Sequence, residues 1–274
     1  MKIYVSADIE GVAGVVSPQQ GQPGNPEYER ARRLMTEEVS AVVAGAFAGG
    51  ATEVLVNDSH GPMTNLIPEL LDPRAELILG KPKPMNMCAG LDGGFSGVMF
   101  TGYHTGAGRH GVLAHTVNGF AFRTIRLNGR PCSEATLNGA YAGSLGVPVL
   151  LISGDDLTAE ECGEHFLDAR RVVTKQALGA RAARAISPTL ARERLRTEAE
   201  AVVRETRQGR PAPFTIAPPY RLEIVLNTPA LADLAAIIPA AERLDPVTVG
   251  FDAGGMGDVL GWVNTVSALS AFLR

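Results

Sequence analysis

The chain has 274 residues, 45% hydrophobic and 20% charged, which is enough apolar side chain for a folded core and too little charge for a disordered polyelectrolyte. Its 25 basic and 29 acidic residues leave a net charge of −4 with both signs interspersed, which excludes the basic footprint of a nucleic-acid or anionic-membrane binder. Cys88, Cys132 and Cys162 are odd in number, far apart and outside any C-x-x-C pair, so a disulfide framework or an all-thiolate zinc site is not expected and a reducing, cytoplasmic setting is.

In chain order, Lys2–Asp8 reads as a short strand, and its acid comes too early for a secretory signal. A Gly, Pro and Gln-rich loop follows. Asn25 then caps a helix with Pro26 at its first position. Tyr28, Ala31, Met35, Val39, Val42 and Ala46 recur at helical spacing until Gly49-Gly50. Glu53–Asn57 is a second strand, so the opening is a βαβ unit with parallel strands. Apolar runs at Glu76–Leu79, Gly97–Thr101 and Val147–Ser153 predict further strands, and Phe122–Leu127 runs into the hairpin-turn pair Asn128-Gly129. The uncharged run Ala135–Gly154 could span a bilayer by length, but its glycines and Pro148 divide it into a helix, a turn and a buried strand.

Thr189–Gln208 predicts a half-solvated helix, Arg221–Leu226 and Thr248–Asp252 strands, and Val259–Leu273 a last helix. The expected architecture is α/β: a mostly parallel central sheet flanked by helices, with an inserted β-hairpin and a smaller C-terminal portion. Residues 1–274 are read as one compact catalytic unit, with the Pro-rich stretch 211–219 as its one candidate break.

In an open α/β sheet, ligands bind beyond the carboxyl ends of the strands. Three strand ends here carry ligand-type side chains: Asp8-Ile9-Glu10, Asn57-Asp58-Ser59-His60 and Gly102-Tyr103-His104. Carboxylates and imidazoles without thiolate suit zinc, or manganese or cobalt. Each residue also has a plain structural reading. Asp8 and His60 can be turn or cap residues, His104 and His115 core histidines, and Glu134 a first-turn carboxylate favoured by the helix dipole. Taken singly, those readings are the simpler ones; three neighbouring strand ends together favour an ion. Asp155-Asp156 are reserve ligands, and His110 and His165 read as surface residues. Gly106–Gly111 matches G-x-G-x-x-G, but no helix pattern follows to face a pyrophosphate. The segment Val112–Val117 reads as extended.

The motifs SADIEGVAG, YERARRLMTEEV, TEVLVNDSHG, FTGYHTGA, LAHT around His115, the Glu134–Asn138 stretch and ISGDD occur here in one order. In that string the chain resembles the D-aminopeptidase DppA family of zinc-dependent peptidases. The resemblance implies a paired zinc centre with Asp8, Glu10, His60, His104 and Glu134 as ligands, Asp8 bridging, and His115 in the catalytic role. It also implies a cytoplasmic homo-oligomer, a decamer of two stacked rings, that removes N-terminal D-amino acids, D-alanine in particular, from short peptides. The chain departs from the family pattern in having Ser133 directly before the glutamate.

Three carboxylates against two divalent ions leave one positive charge, which a bridging hydroxide would neutralise. His115 could then serve as proton shuttle, charge stabiliser or nucleophile. Two other functions use the same ligands: another di-metal hydrolase, amidohydrolase or phosphoesterase, and a metal-stabilised binding protein without turnover.

Overall fold

The computed structural model describes residues 1–274. The elements in chain order are β1 (Lys2–Ala7), α1 (Pro26–Ala48), β2 (Glu53–Asp58), β3 (Glu76–Ile78), β4 (Gly97–Thr101), β5 (Phe122–Leu127), β6 (Arg130–Pro131), α2 (Glu134–Ser144) and β7 (Val149–Asp155). They continue with α3 (Asp156–Gly163), β8 (Arg170–Gly179), β9 (Ala182–Ala185), α4 (Pro188–Thr206), β10 (Tyr220–Leu226), α5 (Pro229–Ala235), β11 (Glu242–Arg243), β12 (Thr248–Ala253) and α6 (Met256–Leu269).

A seven-stranded sheet in the order β3-β2-β1-β4-β7-β8-β9 is parallel except for its last strand, which returns beside β8 as a hairpin. The helices follow from local chemistry. The Asn25 side chain accepts from the Glu27 N–H at 3.2 Å and starts α1. Ala31, Met35, Val39, Val42 and Ala46 then bury one face against the sheet, and each buried Val or Met contributes about 1.5–3 kcal/mol. α4 packs beside α1 on the same face, through Leu195, Ala199 and Val203.

The opposite face is covered by α2 and by a second sheet. That sheet is antiparallel, ordered β11-β12-β10-β5-β6. The expected hairpin is present, with Leu127 opposite Arg130 across Asn128-Gly129, both at positive φ as a primed two-residue turn requires. It is the edge of this second sheet: β5 pairs with β10, nearly a hundred residues later in the chain. One apolar core runs from Tyr4 and Phe100 of the large sheet to Ile125, Ile224 and Phe251 of the small one, with α2 and α6 around it.

Val112–Val117 is not extended. Leu113 and Val117 both stand at left-handed φ, and the segment forms a loop. Its N–H groups are taken up by tertiary acceptors: Val112 donates to Asp155 Oδ2 at 2.7 Å, Leu113 to Ala180 O at 2.9 Å and Val117 to Glu134 Oε1 at 2.5 Å. The reserve ligands are used the same way. Asp155 caps α3 through Thr158, and Asp156 Oδ1 accepts from the Ala177 N–H at 2.8 Å.

Candidate metal centre

The register of the large sheet pairs Ala7 of β1 with Asp58 of β2 on one side and with Thr101 of β4 on the other. The three strands therefore end level, and the chain leaving each carries a ligand-type residue. Backbone bonds extend the register past the sheet. The Asp8 N–H donates to Thr101 O at 2.8 Å, Ser59 to Ala7 O at 2.8 Å and Gly11 to Gly102 O at 2.7 Å. Gly102 stands at φ +69°, and a Cβ there would lie 2.1 Å from Asp8 O. Only glycine allows the chain after β4 to turn so close beside Asp8.

The side chains converge on one space. His60 Nδ1 lies 3.1 Å from both Asp8 Oδ1 and Glu10 Oε2. His104 Nε2 lies 3.5 Å from both Asp8 Oδ2 and Glu134 Oε1. Donor atoms of Asp8, Glu10 and His60 all fall within 4.8 Å of one another, as do those of Asp8, His104 and Glu134. Asp8 belongs to both trios and turns one oxygen to each. A third trio, Glu10, His104 and His115, meets the same limit. All six residues singled out from the sequence thus surround the same small volume.

The hydrogen-bonding state of the histidines shows what that volume accepts. His60 Nε2 faces Gly21 O at 2.8 Å, His104 Nδ1 faces Thr105 O at 3.0 Å and His115 Nδ1 faces Leu113 O at 2.9 Å. A carbonyl oxygen only accepts, so those nitrogens carry the hydrogen. In the neutral rings the other nitrogen is a bare lone pair, and in His60 and His104 it is aimed at two carboxylates. Lone pairs opposed in this way require a proton or a cation between them. Two of the facing atoms, His104 Nε2 and Glu10 Oε2, are buried without any hydrogen-bond partner. Backbone carbonyls orienting ligand histidines are the usual outer contacts of a metal site. The donor set fits a divalent cation.

The ionisation equilibria agree. Burial and the neighbouring Glu10 push the Asp8 carboxyl well above the usual carboxylate range. Burial opposes ionisation of Glu10, but the adjacent His60 outweighs it and holds Glu10 well below that range. Burial likewise opposes protonation of His104, yet Glu134 and the other carboxylates carry it up to about 10. The cluster draws in positive charge.

Glu134 opens α2 behind Ser133, whose side chain accepts from the Thr136 N–H and caps the helix. The serine at the departure from the family pattern is thus a helix cap, and the carboxylate stays in place. Buried to 3% exposure, Glu134 is more than a first-turn residue favoured by the dipole. Its Oε1 also holds the Val117 N–H, which fixes the loop carrying His115. Burial and the nearby His104 lower the His115 imidazole from its ordinary value.

The sequence reading missed two supports. The first is a buried network linking the elements that carry ligands. Ser6 Oγ contacts Ser59 Oγ at 2.7 Å and the Tyr103 hydroxyl at 2.8 Å, and Asn138 Nδ2 donates to that hydroxyl at 3.1 Å. Ser59 and Tyr103 are each next in sequence to a candidate ligand, and Asn138 lies one helical turn after Glu134. The second is Lys175 of β8, 1% exposed, whose ammonium donates to the carbonyls of Glu10, Val12 and Val15. It was detectable in outline, because the chain has only four lysines among 25 basic residues.

The cluster lies at the floor of a cleft of about 1640 Å³, which receives Asn264, Ser267 and Arg274 from the C-terminal portion. Beside Glu134 is a cavity of about 10 Å³, walled by Met85, Val117, Leu137, Leu260 and Val263. It has room for one water-sized group.

The model of the peptidase M55 family, described as D-aminopeptidase, matches residues 1–265. A curated D-aminopeptidase of Bacillus subtilis (strain 168) is 40% identical over 259 residues, covering 93% of each chain. Among solved structures, the zinc-dependent D-aminopeptidase DppA of Bacillus subtilis, described as a self-compartmentalizing protease, superposes with a TM-score of 0.94. It is 37% identical, with 99% of this chain and 98% of that one covered.

Proposed function

The chain belongs to the peptidase M55 family of D-aminopeptidases, and on that footing we propose that Asp8, Glu10, His60, His104 and Glu134 are its metal ligands. It is a metal-dependent D-aminopeptidase. The observation that carries the ligand assignment is the sharing of Asp8 between two trios of buried donors. Asp8, Glu10 and His60 would hold one cation, and Asp8, His104 and Glu134 the other. The solved relative is described as zinc-dependent, and an all-carboxylate and imidazole donor set is one that zinc accepts. A structural zinc site is closed by its four ligands, whereas this one opens on a cleft, which favours turnover over a purely stabilising role.

Divalent cations in such a pair polarise the scissile carbonyl and lower the pKa of water to about 7. The remaining chemistry falls to the chain. Asp8, Glu10 and Glu134 supply the negative charge that would fix the cations. His115 Nδ1 is tied to Leu113 O, so its Nε2 is the atom free to take a proton from the attacking water and deliver it to the leaving amine. The loop bond from Val117 to Glu134 holds that nitrogen at the cleft floor.

Two finer points belong to the same reading. The cavity beside Glu134 leaves room for no more than a small group, which supports a substrate with a short side chain such as D-alanine. The solved relative is described as self-compartmentalizing, and Leu167, Leu178, Ile237 and Phe272 lie more than 70% exposed here. Apolar side chains left so open support a homo-oligomer, with the decamer as its expected form. No helix is long and apolar enough to cross a membrane, and all three cysteines are free, in keeping with a cytoplasmic site. Hydrolysis of D-alanyl and L-alanyl dipeptides before and after chelator dialysis tests the function. The D-peptide alone should be cleaved, and zinc should restore the lost activity.

A further inference from the structure

Apart from the three carboxylates at its floor, every charged side chain lining the cleft is basic: Lys81, Lys83, Arg109, Arg181 and Arg274. The chain as a whole carries more acid than base, so this segregation is opposite to its composition. The five come from four separate segments: the loop after β3, the loop after β4, the β8–β9 turn and the C-terminal residue. Only Arg109 has an acidic partner, Glu161, at 4.0 Å. The acidic side chains of the cleft are thus confined to its floor, and its wall and rim are basic.

Lys83 is the most deeply set of the five. Its ammonium donates to Asn57 Oδ1 at 2.5 Å and to Asp58 O at 2.6 Å, just before the ligand His60. Those two bonds fix it against the end of β2 and leave its third N–H for the cleft. The other four are exposed at the rim.

Resting on the aminopeptidase reading, we propose that this cleft contains an anion subsite, with Lys83 at its base, for the C-terminal carboxylate of a short peptide. A free peptide of a few residues is a zwitterion whose ends are about 3.5 Å per residue apart. The amino end is set at the metal centre on the floor, and cations along the wall face the carboxylate end. A peptide bound the wrong way round would set its ammonium against the basic wall, so the same arrangement sets direction. It also favours short substrates, because a long chain carries its carboxylate out of reach.

The test uses the zinc-loaded wild type and one D-alanyl dipeptide, as free acid and as C-terminal amide, so that the scissile bond is the same. The acid should show about tenfold higher kcat/KM, expressed in KM, as expected for one charge-assisted contact. That advantage should shrink at high ionic strength. Lys83→Gln should bring the acid-to-amide ratio close to one. Arg181→Gln, on an exposed turn, should lower it in part without disturbing the end of β2. Equal hydrolysis of acid and amide by the wild type overturns the subsite alone. Hydrolysis of neither compound overturns the aminopeptidase reading and the subsite with it. A ratio unmoved in both variants removes Lys83 and the rim from the recognition.

Discussion

The imidazoles of His104 and His115 stack face to face, 4.2 Å between ring centroids and 8° between planes. They have opposite surroundings: His104 is 2% exposed, while the His115 side chain is 26% exposed toward the cleft. The buried ring is placed to bind, and the open ring is placed to exchange protons with a substrate. Stacking at this distance lets His104 set the plane of His115, and positive charge on either ring disfavours it on the other.

Replacement of His115 by Gln separates these roles. The variant should retain its metal, since His115 is outside both Asp8 trios, and should lose turnover by about 100-fold or more. Metal content by elemental analysis together with kcat checks this. Normal turnover would return His115 to the role of a packed loop residue.

Tyr103→Phe removes the hydroxyl shared by Ser6 and Asn138 while keeping the ring stacked on Phe100. Leaving those two buried groups short of a partner costs about 1–3 kcal/mol. Because the network connects the strand ends and α2, metal affinity should also fall, by about 10–100-fold. Competitive titration against a chromogenic chelator measures the affinity. A variant destabilised in urea but with unchanged affinity would make the network a core feature only.

Leu260→Ala should widen the cavity beside Glu134 by roughly the volume of three methyl-sized groups. D-valyl and D-leucyl dipeptides should then gain on the D-alanyl dipeptide in relative kcat/KM, by about tenfold for one or two methylenes accommodated. Comparison of the three substrates on wild type and variant decides it. An unchanged order would place the side-chain pocket elsewhere in the cleft.

Glu38 of α1 gives a pH signature independent of catalysis. It is 1% exposed, and burial raises its carboxyl to about 7 despite the Ala13 N–H and the nearby Lys175. The folded chain therefore keeps this proton up to about pH 7, whereas the unfolded chain releases it near 4.5. Between those values the folded state binds more protons, so stability falls as pH rises and the contribution is gone above about pH 7. The full loss is on the order of 3 kcal/mol. Glu38→Gln should remove this slope, so that urea unfolding finds the variant gaining on the wild type from pH 4.5 to pH 8. A parallel pH dependence in both proteins would contradict the assignment.

Much of this was legible in the residues. The βαβ opening follows from the Asn25-Pro26 cap, the spacing of Ala31, Met35, Val39 and Val42, and the EVLVN run. The rule that strand ends carry ligands then brings His60 and His104 to Asp8. What was not legible depends on distant partners. The pairing of β5 with β10 joins segments with no local signal for each other. β8, with Lys175 and Gln176 among its valines, lacks a clean apolar alternation because one of its cations is buried on backbone carbonyls. Val117 is β-branched and avoids left-handed φ on its own, so its apolar neighbours suggest a strand. The carboxylate of Glu134 on its N–H makes the turn instead. The scarcity of lysine marks Lys83 and Lys175 out, but only the fold shows what each ammonium touches.

Asp8 is the residue at which the proposed pair of cations would meet. Anomalous diffraction from crystals of the zinc-loaded protein at the zinc edge tests it most directly. Two peaks per chain are expected, one among Asp8, Glu10 and His60 and one among Asp8, His104 and Glu134. A single peak, or a pair that leaves Asp8 without a metal contact, would contradict it.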